Sequence, residues 1–168
     1  MARRIKKQPA APQDFTPALA LVDALPVLFF GASMVLTARA FGSVLFGLGA
    51  AVITLAGCGK VLWKLLLSVW HRDVPWLNRW FIPCQLGGLL LVVLALVLDA
   101  GKIDWPSLPG QLLRLPAALF FVLWLAGMGV MGWYRRTRFD NSLKANWTVQ
   151  LINTAAQGAL LLGILFSR

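Results

Sequence analysis

Five long, uninterrupted apolar stretches decide what this chain can fold into. They run from about Pro17 to Ala38, Gly42 to Ser68, Trp80 to Leu98, Leu113 to Trp133 and Trp147 to Phe166. Each has roughly 19 to 27 residues, enough at about 1.5 Å of rise per residue to cross about 30 Å of hydrocarbon. Lipid offers the backbone no hydrogen-bond partner, so stretches of this length imply helices. The expected fold class is all-α: a polytopic integral membrane helical bundle of about five transmembrane helices. Composition agrees, since the 168 residues are 59% hydrophobic and 13% charged, whereas a soluble domain is about a quarter charged. Residues 1–16 read as a short basic arm and 17–168 as one transmembrane domain, which leaves no room for a separate soluble activity.

The formal charge of +10 would suggest nucleic acid in a soluble protein. Here the cations flank apolar stretches and read as topology signals, so no nucleic-acid partner is expected. With the N-terminus in the cytoplasm, that side collects Arg3, Arg4, Lys6, Lys7, Lys60, Lys64, Arg72, Arg79, Arg135, Arg136, Arg138 and Lys144. The opposite side holds only Arg39, Lys102, Arg114 and Arg168, which places the C-terminus outside. Tryptophans follow the same division: Trp63, Trp70, Trp76, Trp80, Trp133 and Trp147 mark the inner interface, and Trp105 the outer one. Ala38-Arg39-Ala40 mimics a signal-peptidase site, but the preceding apolar stretch is too long and carries Asp23, so an uncleaved first span is expected. The expected location is a cell membrane, of bacterial plasma-membrane type rather than an organelle. The very short turn at Arg39–Gly42 predicts a tight hairpin of spans one and two. The loop 99–112 predicts an ordered cap.

Ionisable groups inside a span cost roughly 2.5 to 3.5 kcal/mol each on insertion scales and mark candidate sites. Asp23 in span one and Lys60 and Lys64 in span two are such groups. The hairpin makes these spans antiparallel neighbours, so Asp23 and Lys60 are expected at one depth. There they either form an ion pair or leave the lysines to snorkel toward the headgroups. Lys60, Lys64, Ser68 and His71 share one helix face, which suits an anionic headgroup or solute. In span five, Asn146, Gln150, Asn153 and Gln157 recur on one face. Amides avoid lipid, so this face turns either to other helices or to a water-filled cavity.

Depth unites these groups. Asp23, Lys60, Lys64, Gln85, Gln150 and Asn153 all fall in the cytoplasmic half, with Gln157 near the midplane. The outer half offers little beyond Ser33, Thr37 and Ser43. The pocket candidates are therefore Asp23, Lys60, Lys64, Gln85, Gln150, Asn153 and Gln157, and the headgroup-contact candidates are Lys64, His71, Arg135 and Arg136. Small residues (Ser43, Gly47 and Ala51 in span two; Gly129 and Gly132 in span four; Ala155, Ala159 and Gly163 in span five) predict close helix contacts.

Two cysteines without CxxC spacing and a lone histidine give no basis for a metal site, haem or other cofactor. The chain has no glutamate, no paired acids at one depth and no nucleophile beside a base, so enzymatic chemistry ranks last. Two readings stay open. One is transport of a small solute, ion or lipid headgroup through a cytoplasm-facing pocket, in an oligomer. The other is a non-catalytic membrane subunit or assembly factor that docks a partner through its polar and small-residue helix faces. The expected partners are the bilayer and its anionic headgroups, with a second copy or another membrane subunit.

Overall fold

A computed structural model describes residues 16–138, 140 and 142–168; most of the basic arm lies outside the described residues. Among these, seven α-helices form: α1 (Pro17–Phe41), α2 (Val44–Trp70), α3 (Pro75–Arg79), α4 (Phe81–Leu98), α5 (Leu108–Leu113), α6 (Ala117–Thr137) and α7 (Leu143–Phe166). α1, α2, α6, α7 and the α3–α4 stretch are each long and apolar enough to span a bilayer. The fold is thus all-α with five membrane helices, as the apolar stretches predict.

Local chemistry sets the helix ends. Thr16 caps α1 by accepting the Leu19 N–H at 3.3 Å, and Pro17 stands where no helical N–H is needed. The first hairpin is tighter than hydropathy suggests. α1 runs on to Phe41, Gly42 takes the left-handed conformation (φ 59°), and Ser43 immediately caps α2 by accepting the Phe46 N–H at 3.0 Å. The Ser43 N–H itself donates to the Ala38 carbonyl at 3.3 Å. A glycine followed by a serine is all this corner requires. Ser142 likewise accepts the Ala145 N–H at 3.1 Å, so α7 begins at Leu143, one polar turn before its apolar stretch.

In space the membrane helices form a curved row, α4–α2–α1–α7–α6. α1 packs on both α2 and α7, while α4 and α6 end the row without packing on each other along their lengths. Two crossings are made by glycine. A Cβ on Gly88 would lie 2.8 Å from the Gly49 carbonyl and 2.6 Å from the Ile53 side chain, so α2 and α4 touch backbone to backbone. At the α6–α7 contact a Cβ on Gly127 would meet Ala156 at 2.9 Å. Gly129 and Gly132, expected at a contact, instead have open space beside them. Gly127 fills that role because it is the glycine on the α7-facing side.

The row has two chemically different ends. The end with the start of α1, the close of α2 and α6 and the α3 segment carries Arg72, Arg79, Arg135, Arg136, Arg138 and Lys144, and is called the basic end below. At the opposite end the 99–112 segment is ordered. Asp99 accepts a 2.5 Å hydrogen bond from the Ser43 hydroxyl and pairs with Lys102 at 2.8 Å, which ties α4 to the first hairpin. The Trp105 indole N–H donates to the Ala100 carbonyl at 2.9 Å. The Lys102 ammonium first, and the Ser43 hydroxyl second, hold the Asp99 carboxyl below its ordinary range.

Two outcomes follow. Gly88→Val should force α2 and α4 apart and cost about 1–3 kcal/mol by overpacking. Gly87→Ala, beside it in open space, should be neutral or slightly stabilising. Thermal unfolding in lipid nanodiscs separates the two; equal effects would dissolve the backbone contact. Because the folded pKa of Asp99 is depressed, its contribution is present above about pH 3.9 and is lost as pH falls through the lower folded value. Asp99→Ala should therefore lower the unfolding temperature at pH 7 and converge on the parent protein at low pH.

Candidate functional site

Asp23 and Lys64 form an ion pair between α1 and α2, with only 11% and 9% of their side chains exposed. Lys60, the partner expected from depth, instead sets its ammonium 4.1 Å from the centre of the Phe81 ring on α4. The reason lies in helix direction. Counted from the Gly42–Ser43 corner, Asp23 is level with a point midway between Lys60 and Lys64. Side chains lean toward the N-terminus of their own helix. Asp23 therefore leans toward the basic end, and Lys64, on the antiparallel α2, leans away from it, so the two converge. Asp23 and Lys60 lean apart.

Around this pair lies a cavity of about 600 Å³ at the basic end, to which all five membrane helices contribute. α1 gives Asp23, Pro26 and Val27; α2 gives Gly57, Lys60, Val61, Trp63, Lys64 and Leu67. α4 gives Phe81 and Gln85, α6 gives Met128, Met131 and Arg135, and α7 gives Asn146, Val149, Gln150 and Asn153. The structure thus brings together Asp23, Lys60, Lys64, Gln85, Gln150 and Asn153 in one wall. Gln157 lies outside it, buried one turn beyond Asn153, where its amide N–H reaches the Met128 sulfur at 3.6 Å. Of the residues expected to touch headgroups, Lys64 is buried in its ion pair and Arg135 lines the cavity while remaining exposed. His71 caps the end of α2 with a positive φ of 52°, and Arg136 is exposed nearby on α6; neither lines the cavity.

The electrostatics are lopsided. Lys64 neutralises Asp23, and no other carboxylate among the described residues is within ion-pair distance of Lys60 or Arg135. Two cationic groups therefore border the cavity without a matching anion. Neutral polarity is incompletely satisfied as well. Gln85 donates its amide to the Ile53 carbonyl at 3.3 Å. Gln150, 6% exposed, has a carboxamide oxygen with no partner. Elsewhere on α6 and α7, the Gln157 oxygen, the Thr154 hydroxyl and the Trp124 indole N–H are unpartnered too. Buried polar groups of this kind each cost about 1–3 kcal/mol unless water or a ligand supplies the missing hydrogen-bond partner.

Toward the opposite end, hydroxyls satisfy themselves within their own helices. Ser33 donates to Phe29 at 2.8 Å, Thr37 to Ser33 at 2.9 Å and Thr54 to Ala50 at 2.8 Å. These hydroxyls therefore do not extend the polar lining of the cavity toward that end. A separate, open hollow of about 630 Å³ at that far end gathers Arg39, Arg114 and Arg168 around Ser107 and Gln111. The Arg168 guanidinium donates to the Leu36 carbonyl at 2.6 Å.

Sequence reasoning missed the apolar and aromatic members of the main cavity: Trp63, Phe81, Met128 and Met131. Their signal is helical spacing. Phe81 lies one turn before Gln85, and Met128, Met131 and Arg135 share one face of α6.

Five apolar helices arranged around buried charge define a multi-pass membrane protein. Beyond that class, the chain matches no protein-family model, no curated protein and no solved structure.

Breaking one side of the buried pair should be costly. Asp23→Leu or Lys64→Met alone should destabilise by about 3–5 kcal/mol, whereas the double variant should recover most of that loss. A double-mutant cycle by thermal unfolding in nanodiscs measures it. Additive losses would mean that the two charges do not depend on each other.

Proposed function

We propose that this protein carries a small, negatively charged solute or headgroup through the cavity at its basic end, and that this end faces the cytoplasm. The observation that carries the reading is the convergence of all five membrane helices on one charged cavity. A cavity to which every span contributes responds to any relative movement of the helices, which is what a carrier needs. The excess of Lys and Arg at that end supports its cytoplasmic placement. Because the polar lining stops at the level of Asn153 and Gln85, the arrangement favours a carrier with a second conformation over an open pore.

The competing reading, an accessory subunit that docks a partner through its amide face, has less support. The buried Gln150 and Gln157 and the cavity-lining Asn153 turn that face into the fold, away from any partner helix. Small-residue contact surfaces do persist on the outer side of the first hairpin, where a nearly apolar groove is lined by Gly31, Ala32, Gly47 and Ala51.

Native mass spectrometry of protein gently extracted from its own membrane decides between them. A carrier should emerge as the chain or a multiple of it with a small anionic molecule bound. That adduct should vanish in Gln150→Leu/Asn153→Leu. A stoichiometric foreign polypeptide with no small molecule would make the chain an accessory subunit.

A further inference from the structure

The cavity is open sideways. Its walls include Phe81 and Gln85 from α4 and Met128, Met131 and Arg135 from α6. Yet these two helices end the row and do not pack on each other along their lengths. The space between them therefore leads from the charged interior to the surrounding lipid. Phe81, Met128 and Met131 line it with apolar, deformable side chains suited to an acyl chain.

The polar groups narrow the ligand further. Asp23 is consumed by Lys64, so Lys60 and Arg135 leave a net positive cavity. Such a field attracts a phosphate and repels a headgroup ammonium. The unpartnered Gln150 oxygen, nine-tenths buried and lining the cavity, requires a hydrogen-bond donor. In a cationic cavity the donor that fits is a neutral hydroxyl. Asp23 lies six residues inside the start of α1, which is about 9 Å along the helix axis. A headgroup reaching it is drawn below the ordinary headgroup level.

Resting on the cavity as the functional site, we infer that its ligand is a polyol phosphate, the phosphate set between Lys60 and Arg135 and a hydroxyl donating to Gln150. We infer further that this group is the head of a phospholipid whose chains leave between α4 and α6. The same headgroup chemistry exists free in water as glycerol 3-phosphate, so the test must separate the two sources.

Delipidated protein in detergent is titrated with phosphatidylglycerol, with phosphatidylcholine and phosphatidic acid of identical chains, and with glycerol 3-phosphate, and bound stoichiometry is read by native mass spectrometry. The expected result is one phosphatidylglycerol per chain, held at least about tenfold more tightly than phosphatidylcholine. Arg135→Gln, at an exposed position, should cost about tenfold of that affinity. Gln150→Leu should erase the preference for phosphatidylglycerol over phosphatidic acid. Met131→Trp, which narrows the α4–α6 space, should reduce lipid binding. Equal retention of phosphatidylglycerol and phosphatidylcholine, or no effect of Arg135→Gln, overturns the headgroup assignment. Glycerol 3-phosphate binding as tightly as the lipid, unaffected by Met131→Trp, overturns the lipid assignment while leaving the carrier reading intact.

Discussion

The buried pair of Asp23 and Lys64 is the interaction on which the rest of the arrangement turns. A lone charge at that depth would have to neutralise or find water, and each ion carries a desolvation penalty of several kcal/mol even after relaxation. Pairing is only possible if α1 and α2 present one particular face to each other. That face sets the rotation of both helices about their axes. It brings Gly57 against Val27, where a Cβ would lie 3.0 Å from the Val27 side chain, and it turns Lys60 toward Phe81 on α4. It also commits Gly31, Ala32, Gly47 and Ala51 to the outer groove of the hairpin. One ion pair thus separates a polar interior from an apolar exterior in the two helices that start the bundle.

The fold was readable because its strongest determinant is one-dimensional. Lipid demands long apolar helices, and their number and order are written directly in the hydropathy. Their ends were less legible, because caps outweigh hydropathy there. Ser142 starts α7 inside a polar stretch, and the Gly42–Ser43 corner lets α1 continue past Ala38. Depth along the chain also forecasts which polar residues share a level, and Asp23, Lys60, Lys64, Gln85, Gln150 and Asn153 do line one cavity. Depth does not forecast direction. The exchange of Lys60 for Lys64 as the Asp23 partner follows from opposite side-chain tilts on antiparallel helices, a feature absent from a count of residues. Gln157 shows the same limit: it shares the amide face yet lies beyond the cavity, against Met128. The helix row itself was not legible either, since which spans touch is set by contacts such as Gly49 on Gly88 and Gly127 on Ala156.

Those glycine contacts bear on how the bundle can move. α2 and α4 meet backbone to backbone, with no flexible side chain between them to absorb sliding. α6 and α7 are joined at Gly127 and Ala156, and again where Gly163 sits against the Phe121 ring, with a Cβ there at 3.0 Å from it. Each couple is therefore a stiff unit, and α1 lies between them, packed on α2 and on α7. The α2 side is pinned by the ion pair and the Gly42–Ser43 corner. Between α1 and α7, Gly158 lies against the Phe29 ring, and just past α7 the Arg168 guanidinium donates to the Leu36 carbonyl. Under the proposed carrier reading, rotation at the α1–α7 seam changes the distance between α4 and α6 most, because they stand farthest from it. On that reading the side of the cavity that faces lipid is also the side that opens and closes.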